Sequence, residues 1–169
     1  MSTRAKTDRE FHPNPHVKRG FRSGPSGLRR HDAANRLLFA EAVLALAFAS
    51  VVVRLAPFRW IVAAASQPAR APPPPPARRA ELTARVRWAV GAASRRAPWR
   101  AVCLQQGLAA QWMLRRRGVA AVLYYGAAPN KDVGLRAHVW VKDGETDVVG
   151  TEAAQAFAII AQFPPPSAH

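Results

Sequence analysis

One cysteine among 169 residues, and 10 acidic residues against 25 Lys and Arg, are the chain's two marked shortages. A lone cysteine excludes an intrachain disulfide, and it suits a reducing, cytoplasmic compartment. Long uncharged runs are scarce as well. Ala42–Val53 is apolar but bracketed by Glu41 and Arg54, and it falls short of the roughly 20 residues that cross a bilayer. It also begins too far along the chain for the apolar core of a signal peptide. A mostly buried helix broken at Pro57 is the expectation here, with flanking arginines leaving membrane contact at an interface as the alternative. The shortage of acid leaves a net charge of +15, which raises the question of an acidic partner. That charge is spread along the chain without the basic and aromatic interleaving of a single-strand binder, so no nucleic-acid partner is expected.

Composition divides the chain. Residues 1–34 mix prolines, glycines and arginines without a periodic apolar face and are expected to be a disordered basic tail, because they cannot bury enough surface to offset the entropy of ordering. His12, His16 and His31 lie there or at its edge, at spacings that match no metal site. Residues 35–66 form the apolar helical segment. Residues 67–79, with Pro68 and the run Pro72–Pro76, read as a stiff linker. Residues 80–163 are the expected catalytic core, and 164–169 a short tail. Within the core, Leu82, Val86, Ala89 and Val90 predict a helix over Glu81–Ala93.

The stretch from Pro98 to Gly118 organises the rest. Leu104, Leu108 and Trp112 recur every fourth residue, Arg115, Arg116 and Arg117 crowd the last turn, and Gly118 follows as a left-handed stop. Cys103 falls in the first turns of this helix, near the positive end of its macrodipole, where a thiolate is favoured and a nucleophile would be placed. The alternative is a small buried apolar residue. The backbone N–H of Cys103 is the best generic oxyanion donor, ahead of the amides of Gln105 and Gln106.

After Gly118 the period changes to that of strands. Val119–Tyr125 and Leu135–Lys142 are expected strands, Ala127–Gly134 an intervening loop, and Asp143-Gly144 a two-residue hairpin turn returning through Glu145–Val149. One helix followed by three strands makes an α+β fold. Counting outward from the turn pairs Lys142 with Glu145, Val141 with Thr146 and Trp140 with Asp147. His138 then lies diagonal to Asp147, a separation of about 7–8 Å that an imidazole and a carboxylate can close. Cys103 as nucleophile, His138 as base and Asp147 as the group that orients it make a candidate catalytic set. Glu152 is the competing carboxylate if a bulge shifts the register.

These residues resemble a known family. Pro98-Trp99 through Cys103-Leu104, the Leu-Arg-Arg-Arg-Gly-Val helix ending, Leu123-Tyr124-Tyr125-Gly126 and Ala137-His138-Val139-Trp140-Val141 look like the lasso peptide biosynthesis B2 protein. The resemblance covers roughly residues 35 to 163. It implies a transglutaminase-like, papain-type cysteine protease fold. It also implies leader peptidase activity on a ribosomally made precursor peptide, with the family's cysteine and histidine mapping to Cys103 and His138. The family's block more often reads His-Ala-Trp-Val-Glu, with an acidic residue some dozen positions after the histidine. Here Val139 and Lys142 differ and that register falls near Gly150, which leaves Asp147 and Glu152 both as candidates. The first eighty residues have no strand signals for a leader-recognition domain, so the resemblance implies a discrete B1-type partner. It implies coupling to the ATP-using lasso cyclase as well, with no cofactor bound by this chain itself. The other readings of the same residues are amide transfer to an amine, a catalytically idle scaffold, and a basic nucleic-acid-binding module.

Overall fold

Pro57 cannot donate a helical N–H and disfavours helical backbone in the residue before it, so the first apolar segment is two helices. The computed structural model describes residues 25–130 and 134–166. In it α1 spans Pro25–Leu55 and α2 spans Phe58–Ala65. α3 follows over Pro76–Arg96 and α4 over Cys103–Arg115. Strands β1 (Val122–Asn130), β2 (Gly134–Asp143), β3 (Thr146–Val149) and β4 (Ala158–Phe163) complete the chain, with a 3-10 turn at Thr151–Ala156 between the last two. All pairings are antiparallel, in the order β3-β2-β1-β4. This is the expected α+β architecture, with a fourth strand that was not anticipated.

The helices depart from expectation in two boundaries and in the burial of α1. α1 starts at Pro25, so residues 25–34 continue the helix rather than ending the tail; the fixed φ of a proline suits a first helical position. The part of the tail before it, with His12 and His16, lies outside the described residues. α3 starts at Pro76, which takes the last proline and residues 77–79 out of the linker. Nor is α1 mostly buried. Leu38, Ala42, Leu46 and Ala49 face inward, whereas Leu37, Leu44, Phe48, Val51 and Leu55 are exposed. Asp32–Leu55 is by length and composition apolar enough to cross a membrane. Its inner stripe nevertheless joins one core with Val86, Leu108 and Val141 of α3, α4 and β2. The two sides of the proline linker therefore share a single hydrophobic core. The linker itself lies against the end of α4: Arg70 N–H donates to the Arg115 carbonyl (3.1 Å), and a Cβ on Gly118 would meet the Pro72 carbonyl oxygen at 2.1 Å.

α4 lies across the sheet because Gly107 lets it. A Cβ at that position would come within 2.9 Å of Val139 and 3.4 Å of Leu123. Gly107 is one helical turn beyond Cys103, so this close approach brings the start of α4 down onto β2. Buried Gln111, one turn further, donates to the carbonyls of Ala121 (3.3 Å) and Phe163 (2.7 Å), tying α4 to β1 and the end of β4.

The sheet corrects two expectations. Ala127–Gly134 is not a loop: β1 runs on to Asn130, and Ala127, Ala128 and Pro129 pair with Ala137, Arg136 and Leu135. Pro129 is tolerated because it sits near the end of the hairpin, where a missing N–H is cheap. The second hairpin turns at Gly144-Glu145, one residue later than expected, with Asp143 pairing Thr146 and Lys142 pairing Asp147. An ion pair between the half-exposed Arg79 and a buried carboxylate sets that register. Asp143 is 6 % exposed and accepts hydrogen bonds from Arg79 Nε (2.8 Å) and Thr83 Oγ1 (3.0 Å) of α3. A carboxylate held in this way stays in the strand and is not released to the turn tip. A register shift between Val141 and Lys142 then sets Val141 opposite Val149.

Candidate active site

Helix α4 opens on Cys103 itself. Val102 before it is extended (φ −78°, ψ 175°) and supplies no side-chain cap, and the first helical bond is Gln106 N–H to the Val102 carbonyl (3.2 Å). The amides of Cys103, Leu104 and Gln105 therefore have no intrahelical carbonyl partner. Cys103 is a free, half-buried thiol. Gln106 donates through Nε2 to the Ala101 carbonyl (2.7 Å), which braces the turn leading into the helix. That amide is thus committed to the backbone and is not a free oxyanion donor.

His138 comes to the same place from β2. β3 pairs only with Val141–Asp143, so His138 lies beyond its last pair, where the chain turns through Gly150. The imidazole lies near Trp140 (ring centroids 6.0 Å) and Phe157 (5.0 Å). Its Nε2 is 2.6 Å from the Gly150 carbonyl oxygen. A carbonyl only accepts, so Nε2 carries the proton, and in the neutral ring Nδ1 is the free base.

A cleft of about 500 Å³ takes in Cys103, His138 and Gly150, together with Arg87 and Arg95 of α3 and Glu152. The structure thus brings together the expected nucleophile and base. It does not bring Asp147 to them. The one-residue shift of the turn puts that carboxylate beside Lys142 (Nζ to Oδ1, 3.8 Å), half exposed. Glu152, the alternative that required a register slip, lies on the cleft wall in the first turn of the 3-10 segment. The hydrogen-bond partner of the imidazole is the backbone carbonyl of Gly150.

Gly150 was not singled out as a site residue by its sequence, and the signal for it was present only as a register: it stands a dozen positions after His138. Its φ of +72° and the 2.6 Å that a Cβ would leave to the Val139 carbonyl oxygen require glycine. Among the described residues no group of three or more His, Cys, Asp or Glu is arranged to hold a metal ion.

Comparison with curated proteins and with solved structures found no match. The sequence model of the transglutaminase-like superfamily matches residues 42–162, a span that begins inside α1, contains Cys103 and His138, and ends in β4. It takes in the helical layer as well as the sheet, in keeping with their common core. This chain belongs to the transglutaminase-like superfamily.

Proposed function

We propose that this protein is a cysteine peptidase that removes the leader from a ribosomally made precursor of the lasso peptide type. The observation that carries the chemistry is the meeting of Cys103, at the unpartnered amide end of α4, with His138 in one open cleft. The imidazole, held through Nε2–H by the Gly150 carbonyl, takes the thiol proton on Nδ1. The thiolate attacks the scissile carbonyl, and the backbone N–H of Cys103 stabilises the oxyanion. The imidazolium then protonates the leaving amine, and water, activated by the same nitrogen, hydrolyses the thioester. In this scheme a neutral carbonyl dipole, in place of the carboxylate expected at Asp147, orients the ring.

The assignment to lasso precursors rests on the motif resemblance around Cys103 and His138. It carries with it a separate B1-type leader-recognition protein, a cyclase that consumes ATP, and a cytoplasmic setting. Mass spectrometry of a precursor incubated with this protein and a B1-type partner tests it. Cleavage at one bond, abolished by Cys103→Ala and by His138→Ala, is expected. An intact precursor, with the partner shown to hold the leader, overturns the peptidase reading in favour of a scaffold.

Superfamily membership also supports a second outcome for the same thioester, transfer to an amine. An added primary amine that appears covalently in the product would identify a transferase.

A further inference from the structure

The far end of α4 holds a second cavity of about 480 Å³, lined by Leu44, Phe48, Trp112, Met113 and Arg115 among others. This volume is in the range of small-ligand pockets, roughly 300–1,000 Å³. Leu44, Phe48, Trp112 and Met113 form its apolar side, with the Phe48 and Trp112 rings packed at 5.3 Å. Polar side chains line the rest, among them Arg115. It is 4 % exposed, yet its guanidinium makes one long bond, Nη1 to the Ala64 carbonyl (3.4 Å), and Nη2 is buried with no partner.

Its neighbours in sequence are treated differently. Arg116 and Arg117 both engage Glu41. Glu41 faces the same cavity, but its carboxylate is taken up by those two side chains. Burial lowers the Arg115 pKa to about 10, the expected response of a desolvated cation with no counter-ion. An unpaired buried charge is costly unless something neutralises it, and no acidic side chain among the described residues forms a salt bridge with Arg115. Arg70, on the linker, also faces the cavity and adds to the positive potential.

We propose that this cavity binds an apolar carboxylate, with the carboxylate on the unpartnered Nη2 edge of Arg115 and the apolar body between Phe48, Trp112, Met113 and Leu44. The proposal does not depend on the peptidase reading, because the cavity and the Cys103 cleft are at opposite ends of α4. A free hydrophobic acid and an acidic residue of an apolar peptide present the same chemistry.

Calorimetric titration of the full chain separates the two sources. One arm compares 4-phenylbutyrate with 4-phenylbutanol, and the other compares acetyl-Leu-Glu-Phe-amide with its Gln counterpart. Salt of about 0.2 M screens the general surface charge. The expected result is at least tenfold tighter binding of the acid in one arm, which identifies the source, lost in Arg115→Met and kept in Arg116→Gln. Equal binding of acid and neutral analogue in both arms, or no binding of either acid, overturns the proposal, and that comparison needs no variant. An acid preference that survives Arg115→Met overturns it as well.

Discussion

The two ends of α4 handle charge in opposite ways. At its start the helix presents amides without helical partners beside a half-buried thiol, in a cleft open to solvent. At its end three successive arginines meet the negative end of the helix dipole, where cations are favoured. Two of them share Glu41, and the third is buried without an acidic partner. The dipole, with solvent and a counter-ion, accounts for Arg116 and Arg117. It does not account for Arg115, which is buried and has neither. One helix of 13 residues thus places the thiol at one end and the unpaired guanidinium at the other. Between them Gly107 and Gln111 fix the helix against the sheet.

The contrast can be broken most sharply at the start of the helix. Cys103→Ala should lower precursor cleavage by about a thousandfold or more while leaving the melting temperature nearly unchanged, because a half-buried thiol contributes little packing. A melting temperature that collapses with activity would make Cys103 a core residue. Next in size is the anchor that holds the hairpin against α3. Asp143→Ala leaves Thr83 buried and unpaired, so a loss of about 2–3 kcal/mol in denaturant unfolding is expected. A loss under about 0.5 kcal/mol would mean that the ion pair does not set the hairpin register.

Gly150→Ala should slow turnover about tenfold or more, since the new Cβ meets the Val139 carbonyl and displaces the carbonyl that holds His138 Nε2. Asp147→Asn, by contrast, should leave the rate within about twofold, because that side chain lies on Lys142 at the solvent-facing side of the hairpin. A large effect of Asp147→Asn with a small one of Gly150→Ala would restore the carboxylate to the orienting role.

The smallest effect belongs to the other end of α4. Burial works to raise the Glu41 pKa, but the hydrogen bonds and charges of Arg117 and Arg116 prevail and hold it below the usual carboxylate value of 4.5. Its contribution to stability is therefore complete above that value and is lost as pH falls through the lower folded-state pKa. Unfolding measured from pH 6 to pH 3 should show a smaller decline in Glu41→Gln than in the unmodified chain. Equal declines would mean that the arginines do not stabilise the ionised form.

Much of this was legible in the residues. The helix with Cys103 at its start, the strand with His138, the break at Pro57 and the α+β class follow from local periodicity and from proline and glycine chemistry, which act over a few residues. The fourth strand was missed because Ala158–Phe163 is short and exposes Ile159 and Ile160, so its alternation gives no clear buried face. Asp143-Gly144 is a strong local turn signal and predicts the hairpin turn one residue early. The bond that overrides it comes from Arg79, 64 positions away.

What the sequence determined by itself, then, is which residues are the candidates for chemistry: a lone thiol at a helix start, a histidine on a strand, and a run of arginines at a helix end. Each is a property of residue type and spacing. Tertiary structure decided their partners. It gave His138 a backbone carbonyl instead of Asp147, gave Glu41 to Arg116 and Arg117, and sealed Arg115 without a counter-ion. Pairing depends on register and packing between segments distant in the chain, and a single-residue shift in one hairpin was enough to exchange one orienting group for another.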